Sequence, residues 1–146
     1  MSPEEAIVAR ILALPAVQAI AGTRVWLVML PQSPVTPCVR VQQISQIDQG
    51  LHDRGAGGVG WARVQVDAVC KWSDGGNGYA TARALTDAIH GDGKGDGASG
   101  LLGWRGTIAP LEIQGIFSIL DGVAEVDPDE LEQLRIRRDY QVWFSQ

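Results

Sequence analysis

The chain has 146 residues, 45% of them hydrophobic and 20% charged, with a formal net charge of −5. That length suits a single domain with a real core, expected over residues 1–146. The acidic balance argues against sequence-independent binding of nucleic-acid phosphates. No apolar run approaches the roughly 20 residues of a membrane span, and the acid-rich opening "MSPEEAIVAR" is no secretory signal, so synthesis in the cytoplasm is expected.

Ser2-Pro3-Glu4-Glu5 reads as a helix start. Ser2 can cap, Pro3 suits the first helical position and Glu5 completes a capping box. Ile7, Val8, Ile11 and Leu12 follow at helical spacing. Pro15 interrupts the stripe, a short turn carries Val17 and Ile20, and Gly22 ends it. "TRVWLVML" reads as a short apolar strand, after which Pro31, Pro34 and Pro37 enforce an irregular, extended loop.

"CVRVQQISQI", Cys38 to Ile47, alternates roughly as a strand, and "WARVQVDAVCKW", Trp61 to Trp72, does so clearly. The glycine-rich segment between them makes an antiparallel hairpin with a long tip. The outward set of the second strand is Arg63, Gln65, Asp67, Val69 and Lys71. Tyr79, Ala82, Leu85, Thr86 and Ile89 mark a second amphipathic helix, ended by Gly91.

"LEIQGIFSIL" reads as a further strand with a bulge at Gly115. Asp121 to Glu132 carries six carboxylates in twelve residues and reads as a polar loop. The closing "LRIRRDYQVWF" sets Leu134, Ile136, Arg138, Tyr140, Val142 and Phe144 against Arg135, Arg137, Asp139, Gln141 and Trp143. Fifteen of the eighteen glycines lie between Gly50 and Gly106, which concentrates flexibility in loops at about 50–60 and 91–106. The order is helix, strand, strand, helix, strand, strand. An α+β fold is expected, with a four-stranded antiparallel sheet and two helices packed on one face. The other face would be polar and mixed in charge.

Several stretches imitate chemical sites. Read as a calcium loop from Asp92, the chain has Asp96 and Gly97 in place, but Lys94 stands at the third position and Gly103 at the twelfth. Gly95 to Gly100 and Gly55 to Gly60 are literal G-x-G-x-x-G strings without a preceding strand and following helix. Neither His52 nor His90 has metal-ligand spacing, and an isolated loop histidine is more often merely solvated. Asp67 alternates to the polar face, where Arg63 or another strand's arginine can pair with it. Cys38 and Cys70 should fall on opposite faces of the sheet and remain free thiols. No catalytic residue, metal or cofactor is expected.

Four places in order carry a resemblance. They are the turn and strand "LALPAVQAIAGTRVW", the proline loop into "PCVRVQQIS", the strand "RVQVDAVCKW" before the helix "YATARALTDAIHG", and the closing "RIRRDYQVWF". Together they resemble the tail-completion or tail-terminator proteins of long-tailed bacteriophages and related gene transfer agents. The resemblance implies a non-enzymatic virion protein at the head-proximal end of the tail. Such proteins form a homo-oligomeric ring, typically a hexamer, that caps the tail tube and meets a head-completion or neck protein. DNA would pass through the lumen without specific binding, and no membrane is involved. A neighbouring head-completion or minor tail protein, or a small dimeric α+β ligand-binding module, are the alternatives.

Under this reading Arg135, Arg137 and Arg138 contact the acids Asp127, Asp129 and Glu130 of a neighbouring subunit, with pairing inside the monomer as the equal alternative. Trp143 is the aromatic interface candidate, and Phe144 belongs to the core. The glycine-loop residues His52, Asp53, Arg54, Asp92, Lys94 and Asp96 are candidate loop contacts that order against a neighbour.

Overall fold

The structure is a computed structural model, in which residues 1–48, 59–94, 99–126 and 132–145 are described. Helix α1, Pro3–Leu12, begins as expected. The Ser2 hydroxyl accepts from the Glu5 N–H and the Glu5 carboxylate accepts from the Ser2 N–H, so both halves of the capping box are made. Pro15 does more than interrupt, because it opens a second helix, α2, over Pro15–Ala21. Its fixed φ suits a first helical turn, and Gly22 ends the helix at φ 57°. Helix α3 spans Gly78–His90 between the Asn77 cap and Gly91 at φ 77°. The helices therefore number three among the described residues, where two were expected.

The strands are β1 (Val25–Leu27), β2 (Cys38–Asp48), β3 (Val59–Lys71), β4 (Gly106–Ile108), β5 (Leu111–Val126) and β6 (Gln133–Ser145). They form one six-stranded sheet in the order β1-β2-β3-β6-β5-β4, which corrects the expected four-stranded antiparallel sheet. The sheet is also mixed, since β1 runs parallel to β2 with Val25 opposite Val39. The two strands beyond the expected four are three residues long and lie at the sheet margins. β1 falls within "TRVWLVML", which reads as a strand but is not among the four expected in the sheet. The three residues of β4 cannot display a period of two, and the sequence gives no strand signal there.

The acidic stretch after Leu120 is likewise not a loop from its start. Strand β5 runs on to Val126, with Val123 opposite Arg137 and Glu125 opposite Arg135, because β6 supplies the ladder partners. The slip expected at Gly115 is present between Ile113 and Gly115.

All three helices bury their apolar stripes on one face of the sheet. Ile7, Ile11, Val17, Leu85 and Ile89 pack with Val39, Val41, Val64, Val66, Ile116, Tyr140 and Val142 in one core. Tyr79, assigned to the buried stripe of α3, is exposed instead, and its ring lies under the Arg83 guanidinium.

The second glycine-rich stretch is built into this core from Ser99 onward. Asp92 N–H donates to the Ser99 carbonyl (3.2 Å), and Leu101 and Leu102 N–H donate to Ile89 (2.8 Å) and His90 (3.0 Å). Leu101 and Trp104 are buried, and the Arg10 guanidinium stacks 4.5 Å from the Trp104 centroid while donating to the Gly100 carbonyl. A Cβ on Gly91 would stand 1.2 Å from the Ser99 carbonyl oxygen, so this close approach requires glycine.

Candidate interaction surface

The face of the sheet turned away from the helices is assembled by alternation and register. Strand β2 contributes Cys38 and Arg40, β3 contributes Arg63, Gln65, Asp67 and Val69, and β6 contributes Arg135, Arg137, Asp139, Gln141 and Trp143. Register sets Arg40, Asp67 and Arg137 in one row across three strands, with Gln42, Gln65 and Asp139 in the next.

Asp67 and Asp139 are buried on this face, at 1% and 0% exposure. Burying a carboxylate is costly unless charged donors reach it. Arg40 donates to Asp67 from Nε (3.0 Å) and Nη2 (2.5 Å), and Gln65 Nε2 reaches both its oxygens at 3.0 Å. The cross-strand arginine, Arg40, is therefore the partner of Asp67. Arg63 donates to Asp139 from Nε (2.9 Å) and Nη2 (2.6 Å), and Arg137 adds Nε (3.0 Å) and Nη2 (3.1 Å). Burial pushes the Asp139 carboxyl up, but the bonds from Arg137 and Arg63 outweigh it and hold the group below the usual carboxylate range. The bond to Asp139 raises Arg137 in return.

The three arginines of β6 all find partners within the chain. Arg135 meets Glu125 at 3.2 Å, and Arg137 meets Asp139. Arg138 lies on the helix side of the sheet, where it reaches Thr86 Oγ1 (3.1 Å), Asp121 Oδ1 (3.2 Å) and Asp87 Oδ1 (3.2 Å). Asp127, Asp129, Glu130, His52, Asp53, Arg54 and Asp96 lie outside the described residues. Asp92 and Lys94 pair with each other at 3.9 Å just beyond α3.

Trp143 is half-buried opposite Trp61, with ring centroids 6.5 Å apart, while Phe144 is buried in the core. Phe117, half exposed at 50%, shares the next row with Gln141 and Arg63. Trp61, Trp143, Phe117 and Arg63 thus form one aromatic–arginine patch. Sequence alternation missed Phe117, because β5 slips register between Ile113 and Gly115, Ser118 and Leu120, and Leu120 and Val123. Toward the Arg40 end the proline loop folds over this face. There Leu30, Pro31, Gln32, Ser33 and Pro34 line a pocket of about 430 Å³ with Arg40 and Gln133.

His90 is not merely solvated. Its Nδ1 lies 2.9 Å from the Tyr140 hydroxyl, and burial, aided by the Arg138 charge, lowers its pKa. The cysteines sit on opposite faces, as expected: Cys38 is opposite Val69 on the outer face, and Cys70 packs with Ala82, Leu134 and Ile136 on the helix side. Burial raises their pKa values to about 11 and about 12, which leaves both thiols protonated at neutral pH. Among the described residues no group of three or more His, Cys, Asp or Glu side chains could hold a metal ion, and no helix is long and apolar enough to cross a membrane.

A family model described as tail completion protein gp17 matches residues 5–140. Among solved structures the chain is similar to one in "Virion of native gene transfer agent (GTA) particle", at 17% identity and a TM-score of 0.56. That alignment covers 99% of this chain and 96% of the other, and the likeness is one of fold. None of the curated proteins matches by sequence.

Proposed function

The chain belongs to the tail completion protein gp17 family, and from that premise we propose that this structural virion protein forms a hexameric ring capping the head-proximal end of the tail tube. One rim of the ring meets the tube protein and the other a head-completion or neck protein. The net charge of −5 suits a lumen through which DNA slides, because like charge suppresses phosphate contacts.

One observation carries the reading: the open outer face of the sheet, where Trp61, Trp143 and Phe117 stand beside Arg63. Aromatic residues and arginine are the side chains enriched at protein interfaces. On the same face Arg40–Asp67 joins β2 to β3 and Arg63–Asp139 joins β3 to β6, so the patch is presented by cross-linked strands rather than a loop.

The test is the native mass of the purified protein across a concentration series, with negative-stain images of the largest species. A hexamer-sized ring with a central hole is expected. A compact dimer that survives dilution would contradict the reading and favour a dimeric binding module.

A further inference from the structure

We infer that His90 is an acid-sensitive catch. Its neutral imidazole holds the last turn of α3, and with it the Ser99–Trp104 segment, on the sheet; protonation releases that segment while the sheet stays folded. The catch lies within one chain, so it operates whether or not a ring forms.

Two side chains of β6 reach α3 from the helix face of the sheet, two residues apart as alternation requires. Arg138 meets Thr86 (3.1 Å) and Asp87 (3.2 Å), and Tyr140 meets His90, one helical turn on. The Tyr140 ring is buried, with its centroid 5.8 Å from that of His90. Its hydroxyl makes one hydrogen bond among the described residues, at 2.9 Å to His90 Nδ1. Burial raises the tyrosine pKa, so the hydroxyl keeps its proton and donates it to a neutral imidazole. The backbone of the same turn holds the segment. The Ile89 and His90 carbonyls accept from the Leu101 (2.8 Å) and Leu102 (3.0 Å) N–H groups, and Leu101 and Trp104 are buried in the core.

Protonation disturbs this arrangement twice. An imidazolium carries N–H on both nitrogens, so the Tyr140 proton loses its acceptor in a buried place. Burial disfavours the new charge, which also faces the Arg138 guanidinium. Two acids pull the other way, Asp87 on α3 and Asp121 on β5. Both are mostly exposed, however, and each is already paired with Arg138 at 3.2 Å. Among the described residues no other charge compensates. Helix α2 and Ser99–Trp104 carry none, Arg10 of α1 is turned to Gly100 and Trp104, and Asp92 pairs with Lys94. Acid therefore favours a state in which His90 has swung into water. The least costly such state frees only the end of α3 and its attached segment, because the β3–β6 ladder does not involve them.

Hydrogen exchange followed by mass spectrometry at pH 7.5 and pH 5.5 tests this, with rates corrected for the intrinsic effect of pH on amide exchange. A peptide carrying Leu101 and Leu102 reports the catch, and one from the middle of β3, Val64–Cys70, reports the sheet. Exchange at Leu101 and Leu102 is expected to quicken several-fold on acidification, with a ceiling of roughly tenfold per pH unit below 6.5, while β3 is unchanged. His90→Asn offers the Tyr140 hydroxyl an amide oxygen that does not titrate, so it should lose most of that quickening; a melting curve verifies its fold. No quickening in wild type, or equal quickening in His90→Asn, overturns the catch. Equal quickening of β3 overturns it too, because His90 would then act through unfolding of the whole chain. If the variant does not fold, the two wild-type peptides decide between these outcomes.

Discussion

Arg63 on β3 and Asp139 on β6 are joined by bonds of 2.9 and 2.6 Å, into a carboxylate with no exposed surface. Arg137 fills the same carboxylate from its own strand, so one buried acid serves two half-exposed arginines. Asp139→Asn is expected to cost about 1–3 kcal/mol, less than for a fully buried pair because water screens both cations. The folded carboxyl titrates below its unfolded value of about 3.9, so its stabilisation is complete above that pH and is lost as pH falls through the folded value. Urea midpoints between pH 6 and pH 3 should fall for wild type and change less for the variant. Parallel curves would refute the pairing.

His90 titrates the other way. Burial, then the Arg138 charge, lowers its pKa, so the folded chain resists protonation and is stabilised above the unfolded value of about 6.5. That contribution is lost as pH falls from about 6.5 toward the folded pKa. The imidazole titration followed by NMR should have its midpoint below 6.5. A midpoint at or above that value would contradict the burial of the ring beside Arg138.

Cys38 and Cys70 lie on opposite faces of the sheet and are buried. The mass of the native protein should therefore be unchanged by reduction, and a thiol reagent should label either cysteine only at the rate of unfolding. Rapid labelling of the native chain would contradict this burial.

Gly91 combines φ 77° with a backbone contact that leaves no room for a methyl group. Gly91→Ala should cost more than roughly 2 kcal/mol, by separating the end of α3 from the Ser99–Leu102 segment. A change of only a few tenths in a denaturant melt would mean that the two segments part easily.

Arg137→Glu places a second carboxylate beside Asp139, so its effect on assembly must be separated from its effect on folding. At a temperature where the variant remains folded, ring formation should still be weakened, and unchanged assembly would remove Arg137 from the interface. Trp143→Ala is the companion test, because Trp143 is half-buried against Trp61 and leaves the ion pairs intact. It should reduce assembly by more than any loss of monomer stability predicts.

The elements with local signals were legible. The capping box of α1, the alternation of β3 and β6 and the helical stripe of α3 each arise from neighbours within a turn or two along the chain. Elements that tertiary contacts complete were not. Helix α2 has only seven residues and reads as a turn, and β4, with three, gives no signal at all. β1 and β5 do read as strands. The place of β1 in the sheet and the run of β5 to Val126 do not show, the latter because β5 slips register three times. Tyr79 shows the converse error: it has the right spacing for the stripe of α3, but it sits at the first turn, beyond the edge of the core.

The candidate surface divides in the same way. Alternation alone put Arg63, Asp67, Arg137, Asp139 and Trp143 on the outer face, because a strand turns every second side chain to one side whatever it pairs with. Which arginine serves which aspartate, the partners Arg138 finds on the helix side in Thr86, Asp121 and Asp87, and the open edge beyond Ile116 were decided only by the tertiary arrangement and strand register. Those are set by long-range backbone pairing, which brings together residues dozens of positions apart and leaves no trace in the spacing of either one.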